Sequence, residues 1–116
     1  HQTIYEVTGV DAKLFRFPGG SVNVYNEKVN EDIIEKMTER GYIYYDWNAS
    51  LEDAAVDMTP EELVSNGVST TLGRQKVVML AHDVVYNTGV CLEELLDSLP
   101  EYEMKALNEE VEPVQF

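Results

Sequence analysis

The spacing of apolar residues switches along the chain between helical threes and fours and short continuous runs. Residues 2–8 read as a helix end that closes at Gly9, a common C-terminal stop. Residues 14–17 follow as a short strand and run into a Pro-Gly-Gly-Ser turn at 18–21. Val29, Ile33 and Met37 recur at helical spacing, Ile34 widens the stripe and Gly41 ends it, which predicts a helix over residues 27–40. Residues 42–46 form a strand by their aromatic and β-branched content. A polar excursion over residues 48–58 is long enough to be a surface loop covering a site.

Thr59-Pro60-Glu61-Glu62 is a helix start. Thr59 can cap, Pro60 suits the first helical position and Glu62 completes a capping box. That helix extends to about Leu72 and stops at Gly73, with Gly67 weakening its middle. Residues 76–81 are an apolar run of the kind covered on both faces of a sheet. A helix over residues 92–98 and a last strand over 102–107 complete the pattern, and residues 108–116 carry no periodicity. The order αβαβαβαβ predicts an α/β fold with a parallel sheet and right-handed crossovers. Four strands do not close a barrel, so the outer strands are expected to be open edges through which copies could self-associate.

Composition narrows the partners. At 116 residues the chain is one domain or less, and its 44% hydrophobic content is that of a globular protein. No apolar stretch approaches the length of a membrane span, and the first residues lack the basic and apolar regions of a signal peptide. Twenty-two acidic against 8 basic residues give a net charge of −14, which repels nucleic acid and anionic membranes. The single cysteine, Cys91, excludes an internal disulfide or a cysteine-rich metal site and reads as a small buried hydrophobe.

Chemistry concentrates where apolar runs end. His82 follows the run at 76–81, where α/β proteins place catalytic side chains, and a histidine there can donate a proton to a leaving group. A packing histidine bonded to a loop carbonyl would look the same, and position alone does not separate the two. Asp83 need not face the same side, because adjacent residues in extended chain point oppositely. Asp46 and Trp47 also stand at a strand end. A carboxylate beside His82 would hold its ring in one orientation, and a tryptophan can stack on a sugar or simply fill core. Arg16 could pair with a carboxylate, and the Gly19 and Gly20 amides could point at a developing oxyanion, though a plain structural turn reads identically.

Taken together, Arg16 with Pro18, Asp46 with Trp47, and Leu80 with His82 resemble the Arg-x-Pro, Asp-Trp and Leu-x-His segments of the polysaccharide deacetylase family, in the same order. The resemblance covers nearly the whole chain, including the closing Pro-Val-Gln-Phe. It implies the carboxyl-terminal half of a catalytic domain that removes acetyl groups from N- or O-acetylated sugar polymers such as peptidoglycan or chitin. Residues 1–116 would then be a partial domain, about half of a distorted (β/α) barrel.

By that resemblance Arg16 orients the catalytic base, Pro18 shapes the turn and the Gly19 amide helps hold the oxyanion. Many relatives carry a tyrosine at the position of Gly19, a change that a backbone donor survives. Asp46 tunes His82, Trp47 and Leu80 line the acetyl and sugar pocket, and His82 protonates the departing amine or alkoxide. The parent's divalent metal, usually zinc, sits on an Asp-Asp and a His-x-x-x-His segment that this chain does not contain. No metal is therefore expected in this chain alone; His1, the other histidine, lacks fixed partners, and the isolated chain is expected to be inactive. The parent's substrate is an acetylated polysaccharide and its place the cell envelope or outside the cell. From another class, a non-catalytic carbohydrate-binding or assembly module would keep the fold without the metal site. A small self-standing α/β protein would share the motifs superficially.

Overall fold

The computed structural model describes residues 1–24, 27–54 and 57–116. These comprise α1 (Gln2–Thr8), β1 (Leu14–Phe15), α2 (Glu27–Glu39), β2 (Ile43–Tyr44), β3 (Ala49–Ser50), α3 (Pro60–Thr71), β4 (Met79–Leu80) and α4 (Tyr86–Asp97). They form two compact units, one of His1–Asp46 with Leu107–Phe116 and the other of Trp47–Ala106. Helices and parallel strands share the chain, as the pattern predicts, but β2 and β3 follow one another without a helix between them, and the strands pair two by two, β1 with β2 and β3 with β4. Among the described residues no helix is long and apolar enough to cross a membrane.

In the first unit, Leu14 pairs with Ile43 and Phe15 with Tyr44. Phe17 packs edge to face on Phe15 and on Tyr44, which are tilted against each other, with centroids 5.3 to 6.1 Å apart, and this gives the short ladder its apolar cover. α1 ends as expected at Gly9, whose amide donates to the Tyr5 carbonyl at 2.8 Å. The aperiodic tail is held along the end of β2. The Asp46 amide donates to the Val114 carbonyl at 2.7 Å, and Gln115 Nε2 donates to the Tyr44 carbonyl at 3.1 Å. The Tyr45 hydroxyl lies 2.5 Å from the Val111 carbonyl and 3.0 Å from that of Asn108.

The second unit is built on the packing of α3 against α4. Leu51, Leu63, Val64, Cys91, Leu95 and Leu99 form its core, with Met58, Val68, Met79 and Tyr102 packed on it. The capping box at α3 is present: Thr59 Oγ1 accepts the Glu62 amide, and Glu62 Oε2 accepts the Thr59 amide. Gly67 is more than a weak point in that helix. A Cβ there would sit 2.5 Å from Leu95 Cδ1 and 2.9 Å from Leu51 Cδ2, so the missing side chain is what lets the core close. Cys91 is 1% exposed, and burial raises its thiol pKa above the usual value, in keeping with its reading as a core residue.

Three expectations are corrected. The polar excursion contains β3, because Asn48 completes a ladder with its side chain: its Oδ1 accepts the Val78 amide at 2.8 Å and its Nδ2 donates to the Lys76 carbonyl at 2.9 Å. Residues 55 and 56 of that excursion lie outside the described residues. α4 begins at Tyr86 rather than Leu92, since burial of Thr88 and Cys91 overrides the poor helix propensity of Thr88, Gly89 and Val90. Residues 102–107 form no strand. Tyr102 instead turns its hydroxyl to the end of α3, 2.9 Å from the Thr71 carbonyl and 2.6 Å from that of Arg74, where helix carbonyls lack intrahelical partners.

Candidate functional site

Parallel pairing of β3 with β4 sets Ala49 opposite Met79 and Ser50 opposite Leu80. Both strands therefore end together, and the residues just past their carboxyl ends are neighbours. Past β3, Leu51 is fully buried and anchors the chain, so that Asp53 is also buried. Past β4 comes His82. Asp53 Oδ1 lies 2.8 Å from His82 Nδ1, and Asp53 Oδ2 accepts the His82 amide at 2.7 Å. The same Oδ2 accepts from the Thr88 hydroxyl of α4 at 2.7 Å, which ties strand ends and helix together.

This arrangement sets the chemistry of both groups. Burial by itself would raise the Asp53 pKa, but hydrogen bonds from the His82 ring, Thr88 and the His82 amide outweigh it and hold the carboxyl below its ordinary value. An ionised Asp53 has only acceptors, so it draws the Nδ1 proton and fixes the tautomer. Nε2 is then the ring position from which a proton can be passed. The His82 side chain is 27% exposed while that of Asp53 is 1% exposed, the combination of a reachable acid and a protected anchor. An open hollow of about 600 Å³ lies against Asp53, walled by the segment before α3 and the start of α4.

The remaining predicted residues fall on both units. In the second, Trp47 and Leu80 are half-buried, and neither lines that hollow. In the first, Arg16, Pro18 and Gly19 are exposed on the turn after β1. Gly19 and Gly20 have φ of +77° and +87°, backbone that residues other than glycine rarely adopt, which is why glycine suits both positions of this turn. Asp46 is 4% exposed, and its carboxylate accepts the Ser21 amide at 2.8 Å, the Ser21 hydroxyl at 2.5 Å and the Phe116 amide at 3.2 Å. The carboxylate hydrogen-bonded to His82 is thus Asp53, a residue that sequence reasoning did not single out. Its signal was faint: one aspartate two positions past Leu51 in a largely polar stretch. Among the described residues no group of three histidine, cysteine, aspartate or glutamate side chains could hold a metal ion.

Compared with known proteins, the chain matches no family model and none of the curated proteins. Among solved structures it is similar to the catalytic domain of the peptidoglycan N-acetylglucosamine deacetylase from Eubacterium rectale, with 27% identity and a TM-score of 0.91 over 99% of this chain. Over the length they share, the two have the same fold. The chain spans about half of that deacetylase structure, 56% of its length. The likeness matches the family suggested by the three motifs, and it accords with a carboxyl-terminal half of such a domain.

Proposed function

We propose that this chain is the carboxyl-terminal part of a polysaccharide deacetylase, half of a distorted (β/α) barrel, and that the whole protein hydrolyses the acetamide of N-acetylglucosamine units in peptidoglycan. The observation that carries this reading is the near-complete structural match to a peptidoglycan deacetylase catalytic domain.

In this mechanism water adds to the acetyl carbonyl, and the carbon–nitrogen bond then breaks. An amide nitrogen is a poor leaving group unless it is protonated as the bond breaks, and His82 Nε2 supplies that proton. Asp53 keeps the ring oriented and stabilises its cationic form, the part the resemblance gave to Asp46. Asp46 acts one step removed, holding the turn that carries Gly19 through Ser21. The parts that the resemblance assigns to Arg16, Pro18, Gly19, Trp47 and Leu80 are retained: orienting the base, shaping the turn, donating to the oxyanion and lining the sugar pocket.

Among the described residues no group of three histidine, cysteine, aspartate or glutamate side chains could hold a metal ion, and the resemblance gives both the base and the metal ligands to segments that this sequence does not contain. In this reading both belong to the remainder of the parent domain, which acts at the cell envelope, and the 116-residue chain by itself does not turn over substrate. The test is acetate release from peptidoglycan and from tetra-N-acetylchitotetraose by the complete reading-frame product, with and without His82→Ala. Activity falling about 10²–10⁴-fold in the variant is the expected result. An inactive complete protein, or one indifferent to His82→Ala, would overturn the proposal.

A further inference from the structure

We infer that Asn30 of α2 is a positioning residue for the Gly19 amide, acting through Ser21. What that amide does rests on the deacetylase reading above, whereas how it is held rests on the geometry of the first unit. The Gly20 amide donates to the Phe17 carbonyl at 3.0 Å and closes a turn with Pro18 and Gly19 at its corners. The φ of +77° at Gly19 suits the second corner of a type II turn. Because the turn bond uses the Gly20 amide, it does not consume that of Gly19. Pro18 and Gly19 are exposed, while Phe17, Gly20 and Ser21 are buried, so an accessible crest stands on a packed base.

Two successive glycines make the least restrained backbone a chain can carry, and neither has a side chain by which packing could hold it. A donor that stabilises developing charge works by being in place before the charge appears. The restraint therefore has to come from the residue that follows. Ser21 is gripped on both sides: its amide donates to Asp46 at 2.8 Å, and its carbonyl accepts Asn30 Nδ2 at 2.9 Å. Asp46 is held in turn by the Phe116 amide at 3.2 Å. Among the described residues of α2 only Asn30 is buried, and it is polar. Burying an amide costs free energy unless it is hydrogen-bonded, so an apolar residue would serve the packing of α2 better. What Asn30 supplies instead is a fixed donor for the Ser21 carbonyl, two residues from the amide in question.

The test measures kcat and KM for acetate release from tetra-N-acetylchitotetraose by the complete reading-frame product and by its Asn30→Ala variant. With the donor displaced rather than removed, kcat should fall about tenfold at unchanged KM, short of the roughly 10²–10³-fold that loss of an oxyanion donor costs. Tyr102→Phe, destabilised by a similar amount elsewhere, should keep its kcat. In the 116-residue chain, NMR order parameters of the Gly19 and Gly20 amides should stand at about 0.85 and fall toward about 0.6 in Asn30→Ala. If that variant does not fold, Phe116→Pro, which removes the amide that holds Asp46, should give the same two readings. Unchanged kcat, a rise in KM alone, a loss of kcat equalled by Tyr102→Phe, or a turn as rigid without Asn30 as with it would each overturn the positioning role. The two proposals fail separately. Acetate release that is indifferent to Asn30→Ala removes the positioning role alone. An inactive complete protein whose Gly19 amide still loosens in Asn30→Ala removes the deacetylase reading and upholds Asn30 as the residue that holds the turn.

Discussion

Asp53 grips His82 at two points, with one oxygen on the ring Nδ1 and the other on the backbone amide of the same residue. Holding both ends of a side chain's lever leaves the ring few orientations, and the Thr88 hydroxyl keeps the carboxylate itself from turning. Asp53→Asn retains the shape but places an NH₂ where an acceptor is needed, opposite either the His82 ring Nδ1 or the His82 amide and Thr88 hydroxyl together. The expected loss is about 1–3 kcal/mol of unfolding free energy, read by urea denaturation, with Thr88→Val losing about 1 kcal/mol.

The same carboxylate makes stability depend on acid. Because its folded pKa lies below the ordinary value of 3.8, it contributes stability that is fully present above that value and is lost as pH falls through the folded pKa. The difference in unfolding free energy between the native chain and Asp53→Asn should therefore hold steady from about pH 7 to 5 and shrink below about pH 4. A difference that grew on acidification would reverse the assignment.

Two helical glycines should respond oppositely to alanine. At Gly67 a methyl meets Leu95 and Leu51, which are 3% and 0% exposed and have little room to move. Overpacking of about 1–3 kcal/mol exceeds the gain of about 1 kcal/mol in helix propensity, so Gly67→Ala should lower the melting temperature. At Gly89 in α4 a Cβ meets nothing within 4 Å, and the alanine should raise stability by about 0.5–1 kcal/mol.

In the first unit Ser21 joins three parts of the chain. Its amide and hydroxyl serve Asp46, its hydroxyl also lies 3.1 Å from the Phe116 carbonyl, and its own carbonyl accepts Asn30 Nδ2 at 2.9 Å. Ser21→Ala removes a donor from a buried carboxylate and should cost about 1–3 kcal/mol, with faster exchange of the Phe116 amide as the local sign. Unchanged exchange at Phe116 would show that the tail is held without this clasp.

Tyr102→Phe removes the hydroxyl that serves the last carbonyls of α3 and leaves the ring's packing on the core intact. A loss of about 0.5–1.5 kcal/mol is expected in thermal unfolding.

Legibility in the sequence follows the range of the forces involved. α1, α2 and α3 stand where the pattern puts them, because each is bounded by residues acting within a few positions: Gly9, Gly41 and the Thr59–Glu62 capping box. β3 is different. A lone leucine among polar residues does not look like a strand, and only the carbonyls of Val78 and Leu80 with the Val78 amide make it one. Tyr102 misled for the converse reason, since its apolar bulk suggests a strand and its hydroxyl serves a helix end. His82 could be found from its place after an apolar run. Its partner lies 29 positions earlier and carries no local mark.

Read alone, the sequence determined α1, α2 and α3 with the residues that cap or end them, a mixture of helices with parallel strands, the order of three motifs and hence the family resemblance. Caps and periodicities are local, and the motifs are residue identities in order. Tertiary structure decided which strands pair, that Asp53 rather than another carboxylate holds His82, that Asp46 is bound by Ser21 and Phe116, and that Gly67 is a point of close packing. These depend on strand register and helix approach, in which a shift of one residue exchanges the buried and exposed faces of a strand and every partner along it.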